Sequence, residues 1–314
     1  MNLDRKVLGE KAKELGFARD TLEKVYRLTE ILNFINSHPL LKDNLILKGG
    51  TAINLTVFNL PRLSVDIDMD LAINYGREEM EKVRAEITKT LQNYMTFNGY
   101  VLNQGSKSRH SLDSMVYSYT NAGGNLDNIK IEINYSLRSH IYNSVERKIV
   151  TSVTDSKVNI KTLNEIELFA AKLNALINRA AVRDLYDINN MIFFGLFDES
   201  QYEMLKKSSI FYAVISAEQI NKEFKTDAID GITINRVKRD LFPVIAKKEF
   251  FDLEQKKAEA KNFIREWMVV TEEEKEFMDR FERKEYCPEL LFDDEKIVER
   301  VKLHPMALWK MKQK

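Results

Sequence analysis

The chain has 314 residues, 44% hydrophobic and 31% charged, enough apolar material for a substantial core and enough length for two domains. Its 48 lysines and arginines balance 48 aspartates and glutamates, so no global positive field draws in nucleic acid, and any RNA contact must come from a local patch. A single cysteine, Cys287, excludes an internal disulfide framework, and no apolar signal core or membrane-length run is present, so a reduced, cytoplasmic protein with no membrane contact is expected.

In chain order, Asp20 is placed to cap a helix whose apolar positions Leu22, Val25, Leu28, Ile31, Leu32 and Ile35 recur at helical spacing up to Ser37 and His38. Leu45-Ile46-Leu47 reads as a short buried strand, and a helix over 52–58 follows Gly49-Gly50-Thr51. A strand over 65–71 and a charged amphipathic helix over 76–98 come next. Strands over 100–102, 114–119 and 129–135 then surround a turn-rich stretch at 121–128, and from Thr162 onward the patterns are mainly helical. A boundary is expected near 155–161, and no internal repeat or proline-rich linker is evident.

Two of these segments carry chemistry. The glycines at 49 and 50 sit between a strand and a helix, where free backbone N–H groups face an anion, and a triphosphate fits such a loop with the Thr51 hydroxyl beside it. In the strand at 65–71, Val65, Ile67, Met69 and Leu71 alternate with Asp66, Asp68 and Asp70, so one face is core and the other a row of carboxylates. A solvated edge strand is the bland alternative, but strands are depleted in Asp, and like charges this close repel unless a cation lies between them. An EF-hand fails on its own pattern, since Leu71 stands where glycine is required and Arg77 where glutamate is required. Hard oxygen donors on a strand suit Mg2+ or Mn2+ sharing its shell with substrate phosphates.

The strand around Ile129-Lys130-Ile131-Glu132-Ile133-Asn134 buries its isoleucines and sends Lys130, Glu132 and Asn134 to the opposite face, where Glu132 either serves the metal or pairs with Lys130. Lys172 lies beside the apolar stripe Leu163, Ile166, Phe169, Leu173, Leu176 and Ile177 of a helix, where a lone lysine is ordinarily solvated. In Arg183-Asp184-Leu185-Tyr186-Asp187, Asp184 reads as a helix N-cap with Asp187 in the first turn. Arg236, Lys238, Arg239, Lys247, Lys248, Lys256 and Lys257 are either phosphate contacts or an ordinary solvated surface, given the acidic residues among them.

Taken together, Lys48-Gly-Gly-Thr-Ala52, Arg62-x-Ser64-x-Asp66-Ile-Asp68, Lys172-Leu-x-Ala-Leu176 and Arg183-Asp184-Leu-Tyr-Asp187, with His304-Pro305 near the end, resemble the AbiEii/AbiGii-type nucleotidyltransferase toxins. That family includes the mycobacterial MenT group and lies within the DNA polymerase β-like nucleotidyltransferase superfamily. The resemblance implies an α+β fold: a polymerase β-like nucleotidyltransferase domain with a short mixed sheet over 1–158, then a mainly helical C-terminal domain over 159–314 that contributes Lys172 and Asp187 to the site. It implies Asp66, Asp68, Lys172 and Asp187 as catalytic residues, with Asp66, Asp68 and Glu132 on Mg2+ or Mn2+. Gly49, Gly50 and Thr51 would cradle the phosphates of an NTP, and Arg62 and Ser64 would order the carboxylates and phosphate oxygens. The implied reaction moves NMP from NTP to an RNA acceptor, the tRNA 3′ end, and releases pyrophosphate, with a cognate antitoxin as partner. A small-molecule nucleotidyltransferase and a non-catalytic nucleotide-binding regulator are the alternatives.

Overall fold

A computed structural model describes residues 4–149, 158–216 and 219–313. They form two compact units: unit 1 comprises Met1–Arg138, Ser144–Leu163 and Pro243–Lys248, and unit 2 comprises Ser139–Asn143, Asn164–Phe242 and Glu249–Lys314. The boundary expected at 155–161 begins among residues 150–157, which lie outside the described residues.

Unit 1 is built on a mixed sheet of β1 (Leu45–Lys48), β2 (Asp66–Leu71), β3 (Val101–Leu102), β4 (Lys107–Arg109), β5 (Leu112–Thr120), β6 (Leu126–Asn134), β7 (Val145–Lys148) and β8 (Asn159–Thr162). The strand order is β3-β5-β6-β2-β1-β8-β7, with β4 paired to β5; β2/β6 and β1/β8 run parallel and the remaining pairs antiparallel. Alternation fixes the faces: Leu45, Leu47, Ile67, Met69, Ile129, Ile131, Ile133, Met115 and Tyr117 are all buried on one side, which leaves Asp66, Asp68, Lys130, Glu132 and Ser114 half-exposed on the other.

Helices α1 (Arg5–Leu15), α2 (Arg19–Ser37), α3 (Pro39–Asn44), α4 (Gly49–Ala52) and α5 (Arg77–Phe97) complete this unit. The apolar stripe of α2 is buried as its periodicity requires, and Phe34 stacks on Tyr94 of α5 with ring centroids 3.8 Å apart. The α2 N-cap is Ala18, with Asp20 in the first turn and bonded to Arg19, so the cap expected at Asp20 lies two residues upstream and makes no side-chain bond. The helix expected at 52–58 instead begins at Gly49 and widens into a π-helical turn over Ile53–Val57. There Asn54 Nδ2 donates to the Gly50 carbonyl at 2.7 Å and Thr56 Oγ1 to the Ala52 carbonyl at 2.7 Å, side-chain bonds that compete with the regular ladder.

Unit 2 is helical: α6 (Glu165–Arg179), α7 (Val182–Phe193), α8 (Glu199–Ser216), α9 (Asp227–Asp230), α10 (Ile234–Asp240), α11 (Leu253–Trp267), α12 (Glu272–Glu282), α13 (Glu295–Lys302) and α14 (Pro305–Lys312). Helix α6 packs on α7 and α8, with Leu173, Leu176 and Phe169 buried. Its Glu167 is enclosed and accepts from Ile141 N at 2.8 Å, Tyr142 N at 3.1 Å and the Tyr212 hydroxyl, which pins residues 139–143 into this unit. No helix among the described residues is long and apolar enough to cross a membrane.

Candidate active site

The centre of the sheet in unit 1 aligns four polar side chains in one row. Asp68 is the Cα partner of Lys48 on β1 and of Glu132 on β6, and Glu132 is the partner of Ser114 on β5. In the neighbouring row Asp66 faces Lys130. Asp70 points to the same side but is buried and ion-paired with Lys48 Nζ, which separates it from the half-exposed Asp66 and Asp68.

The glycine loop is locked to this row. Gly49 has φ +69°, a left-handed conformation that favours glycine, and a Cβ there would fall 2.5 Å from Asp68 Oδ2. At Gly50 a Cβ would fall 2.6 Å from an Arg62 guanidinium nitrogen and 3.3 Å from Ser64 Oγ. Both glycines are therefore needed for close approach: one lets backbone reach the carboxylate, the other lets the arginine lie over the loop.

Thr51 is fully buried, and its hydroxyl donates to the Asp66 carbonyl and lies 2.8 Å from Ser64 Oγ, so it staples the loop to the start of β2. Arg62 is buried and donates from Nη1 to the Leu63 carbonyl at 3.2 Å. The segment Pro243–Lys248 returns to unit 1 and holds this stretch from outside: Leu63 N donates to the Val244 carbonyl at 2.7 Å, and Arg62 bridges Ile245.

Charge on the open face is partly balanced from within. Lys130 Nζ lies 2.9 Å from Glu132 Oε2, with the two side chains 35% and 26% exposed. Burial works against the charge of each partner, yet both stay ionised: the Glu132 carboxyl is held below its ordinary range by Lys130, Ser114 and Lys48, and the Lys130 ammonium is held above its own by Glu132, Asp66 and Asp68. Among the described residues no three His, Cys, Asp or Glu side chains converge as a metal-binding group. The donor chemistry of Asp66 and Asp68 fits magnesium or manganese, which keep waters and complete their shells with phosphate oxygens, whereas Glu132 is engaged by Lys130.

Unit 2 gathers Lys172, Asp184 and Asp187. Ala180, at φ 47°, ends α6 in the left-handed conformation, and α7 begins at Val182, so the middle of one helix faces the first turns of the next. Lys172 Nζ sits 2.8 Å from Asp184 Oδ1 and 3.0 Å from Asp187 Oδ2, and both carboxylates are buried. Arg179, two turns after Lys172 on the same face, grips the other Asp184 oxygen from Nε at 3.0 Å and Nη2 at 2.9 Å. Asp184 is thus an ion-pair partner within the first turn; the N-cap is Ala181, which corrects the expected cap. Arg183 turns to the Asp240 carbonyl at 2.8 Å.

Unit 1 therefore brings Gly49, Gly50, Thr51, Arg62, Ser64, Asp66, Asp68 and Glu132 together around the central strands of the sheet, and unit 2 brings Lys172 and Asp187 together. The Lys48–Asp70 pair, Arg179 and the return of residues 243–248 did not emerge from the sequence. Arg179 had a signal, its seven-residue spacing from Lys172; the returning segment is some 180 residues away in the chain and had none. Of the basic residues considered for phosphate contact, Arg239 pairs with Asp240, Lys256 with Glu259 and Lys257 with Glu254.

Residues 31–285 match the family model described as the nucleotidyl transferase AbiEii toxin of type IV toxin–antitoxin systems. The chain belongs to the AbiEii nucleotidyl transferase toxin family. The AbiEii match spans both the glycine loop with its carboxylate strand and the helix pair that carries Lys172 and Asp187. The protein is accordingly a nucleotidyltransferase of a type IV toxin–antitoxin family, and AbiEii membership implies an NTP substrate and an antitoxin partner. No curated protein matches the sequence. Among solved structures the chain is similar to MenT4, a nucleotidyltransferase toxin from Mycobacterium tuberculosis, at 19% identity and a TM-score of 0.47 over 84% of this chain and 96% of that one.

Proposed function

We propose that this AbiEii-family enzyme is a divalent-metal-dependent, cytoplasmic toxin that transfers NMP from an NTP to the 3′ end of tRNA and releases pyrophosphate. The observation that carries the proposal is the contact between loop and carboxylate: Gly49 approaches Asp68 so closely that any side chain there would collide with Oδ2. A triphosphate held by the loop would place its phosphates beside Asp66 and Asp68.

In this reading Asp66 and Asp68 hold two Mg2+ or Mn2+ ions. When bound, these ions supply activation of the attacking hydroxyl and neutralisation of the triphosphate. The Gly49 and Gly50 backbone cradles the β and γ phosphates, and Thr51, Arg62 and Ser64 keep that backbone in register with β2. Asp184 and Asp187 hold Lys172, and the family resemblance gives that lysine the role of a compact positive charge for the triphosphate, with Asp187 required for its orientation. Attack on the α-phosphorus in line with the departing pyrophosphate completes the transfer.

The test incubates the purified protein with total RNA, Mg2+ and each α-labelled NTP in turn, beside Asp66→Ala and Lys172→Ala. Label entering tRNA-sized bands with the intact protein alone is the expected result. NTP binding with no transfer to RNA would remove the tRNA acceptor and leave a small-molecule or protein acceptor, or a non-catalytic nucleotide-binding regulator.

A further inference from the structure

The open face of the sheet carries a positive charge that the reaction described above leaves without a task. Strand β6 runs parallel to β2, and this register sets Lys130 opposite Asp66 while Glu132 lies opposite Asp68. The other ammonium of the face, Lys48, is committed to the buried Asp70. On the same face Asp66 and Asp68 are half-exposed, one register row apart, next to the Lys130–Glu132 pair. The Lys130–Glu132 contact, 2.9 Å long, keeps both side chains partly exposed, at 35% and 26%, so an anion or cation arriving from solvent can reach either partner.

Resting on the proposed metal role of Asp66 and Asp68, we propose that Lys130 is a tethered competitor of the divalent cation. In the nucleotide-free enzyme its ammonium holds Glu132, so metal meets only the two aspartates. An incoming triphosphate offers that ammonium another anion, and Glu132 is released to the metal. Lys130 is in this sense a positioning residue that ties metal loading to nucleotide binding, and it removes the third carboxylate from the free site without breaking the sheet.

The experiment titrates Mn2+ into nucleotide-free protein and follows the free-ion signal by electron paramagnetic resonance. Wild type is compared with Lys130→Met, Lys130→Gln, Glu132→Gln, Asp66→Ala and the Lys130→Met/Glu132→Gln double variant, each checked by circular dichroism. Lys130 is half-exposed, and two different replacements guard against a misfolded one. Removing Lys130 is expected to tighten Asp66-dependent Mn2+ binding about fivefold, or ~1 kcal/mol. In the Glu132→Gln background the same change is expected to have an effect of less than about twofold, because the released ligand is gone. Unchanged or weaker binding in both Lys130 variants overturns the proposal while leaving the metal reading intact. An equal gain with and without Glu132 also overturns it, since a through-space charge effect is then sufficient. Absence of Asp66-dependent Mn2+ binding in every variant overturns both.

Discussion

The molecule contains two networks of lysines and carboxylates that obey opposite rules. On the helix pair of unit 2, Lys172 and Arg179 meet Asp184 and Asp187, and both carboxylates are almost wholly enclosed. On the sheet of unit 1, Lys48 pairs with the buried Asp70 and Lys130 with Glu132, while Asp66 and Asp68 stay half-exposed. A buried network fixes direction, because losing one member leaves charge stranded in a low dielectric. An open one leaves its carboxylates within reach of solvent, where the proposed function has them meet a cation. In the proposed function, the difference separates residues that aim from residues that bind.

Four substitutions break or sharpen that comparison. Asp68→Asn should have the largest effect: pyrophosphate release falling on the order of a thousandfold with little change in thermal midpoint, because the side chain serves the open network rather than the core. Asp184→Ala should act mainly on the fold, lowering stability by roughly 3 kcal/mol in urea unfolding, the low end for breaking a buried pair because Asp187 still faces Lys172. Gly49→Ala lies between the two. Its left-handed backbone adds a penalty of about 1–2 kcal/mol, and the push on Asp68 should cut turnover about a hundredfold. Arg179→Ala should be the mildest, costing less than about 1 kcal/mol, since its side chain is 67% exposed. If Arg179→Ala proved as costly as Asp184→Ala, the division between aiming and binding groups would need redrawing.

What was legible in the sequence was whatever the local period encodes. The alternation of Asp66 to Leu71 and of Ile129 to Asn134 gave both the strands and their faces, and the apolar stripes of α2 and α6 gave their buried sides. Strands β7 and β8 were not legible: Val145-Glu-Arg-Lys148 and Asn159-Ile-Lys-Thr162 are short, largely polar stretches ordered by pairing with each other and, for β8, with β1. The start of α7 was misplaced because its cap is an alanine and Asp184, the polar residue that looked like one, is drawn into the lysine network. At the site, the glycines and aspartates could be named from the chain, whereas the destination of each charge could not. Lys48 turning to Asp70, Leu63 being held by Val244 and Arg62 being bridged to Ile245 depend on tertiary register, which no local pattern specifies.

The most direct test of the open carboxylate pair as the catalytic centre is pyrophosphate release from NTP and RNA by Asp66→Asn, Asp68→Asn and the double variant, each confirmed as folded. Loss on the order of a thousandfold in either single variant, with the double variant no worse, is the expected result for two groups acting as one unit. Release near the wild-type rate in both single variants would contradict it and place the chemistry elsewhere in the molecule.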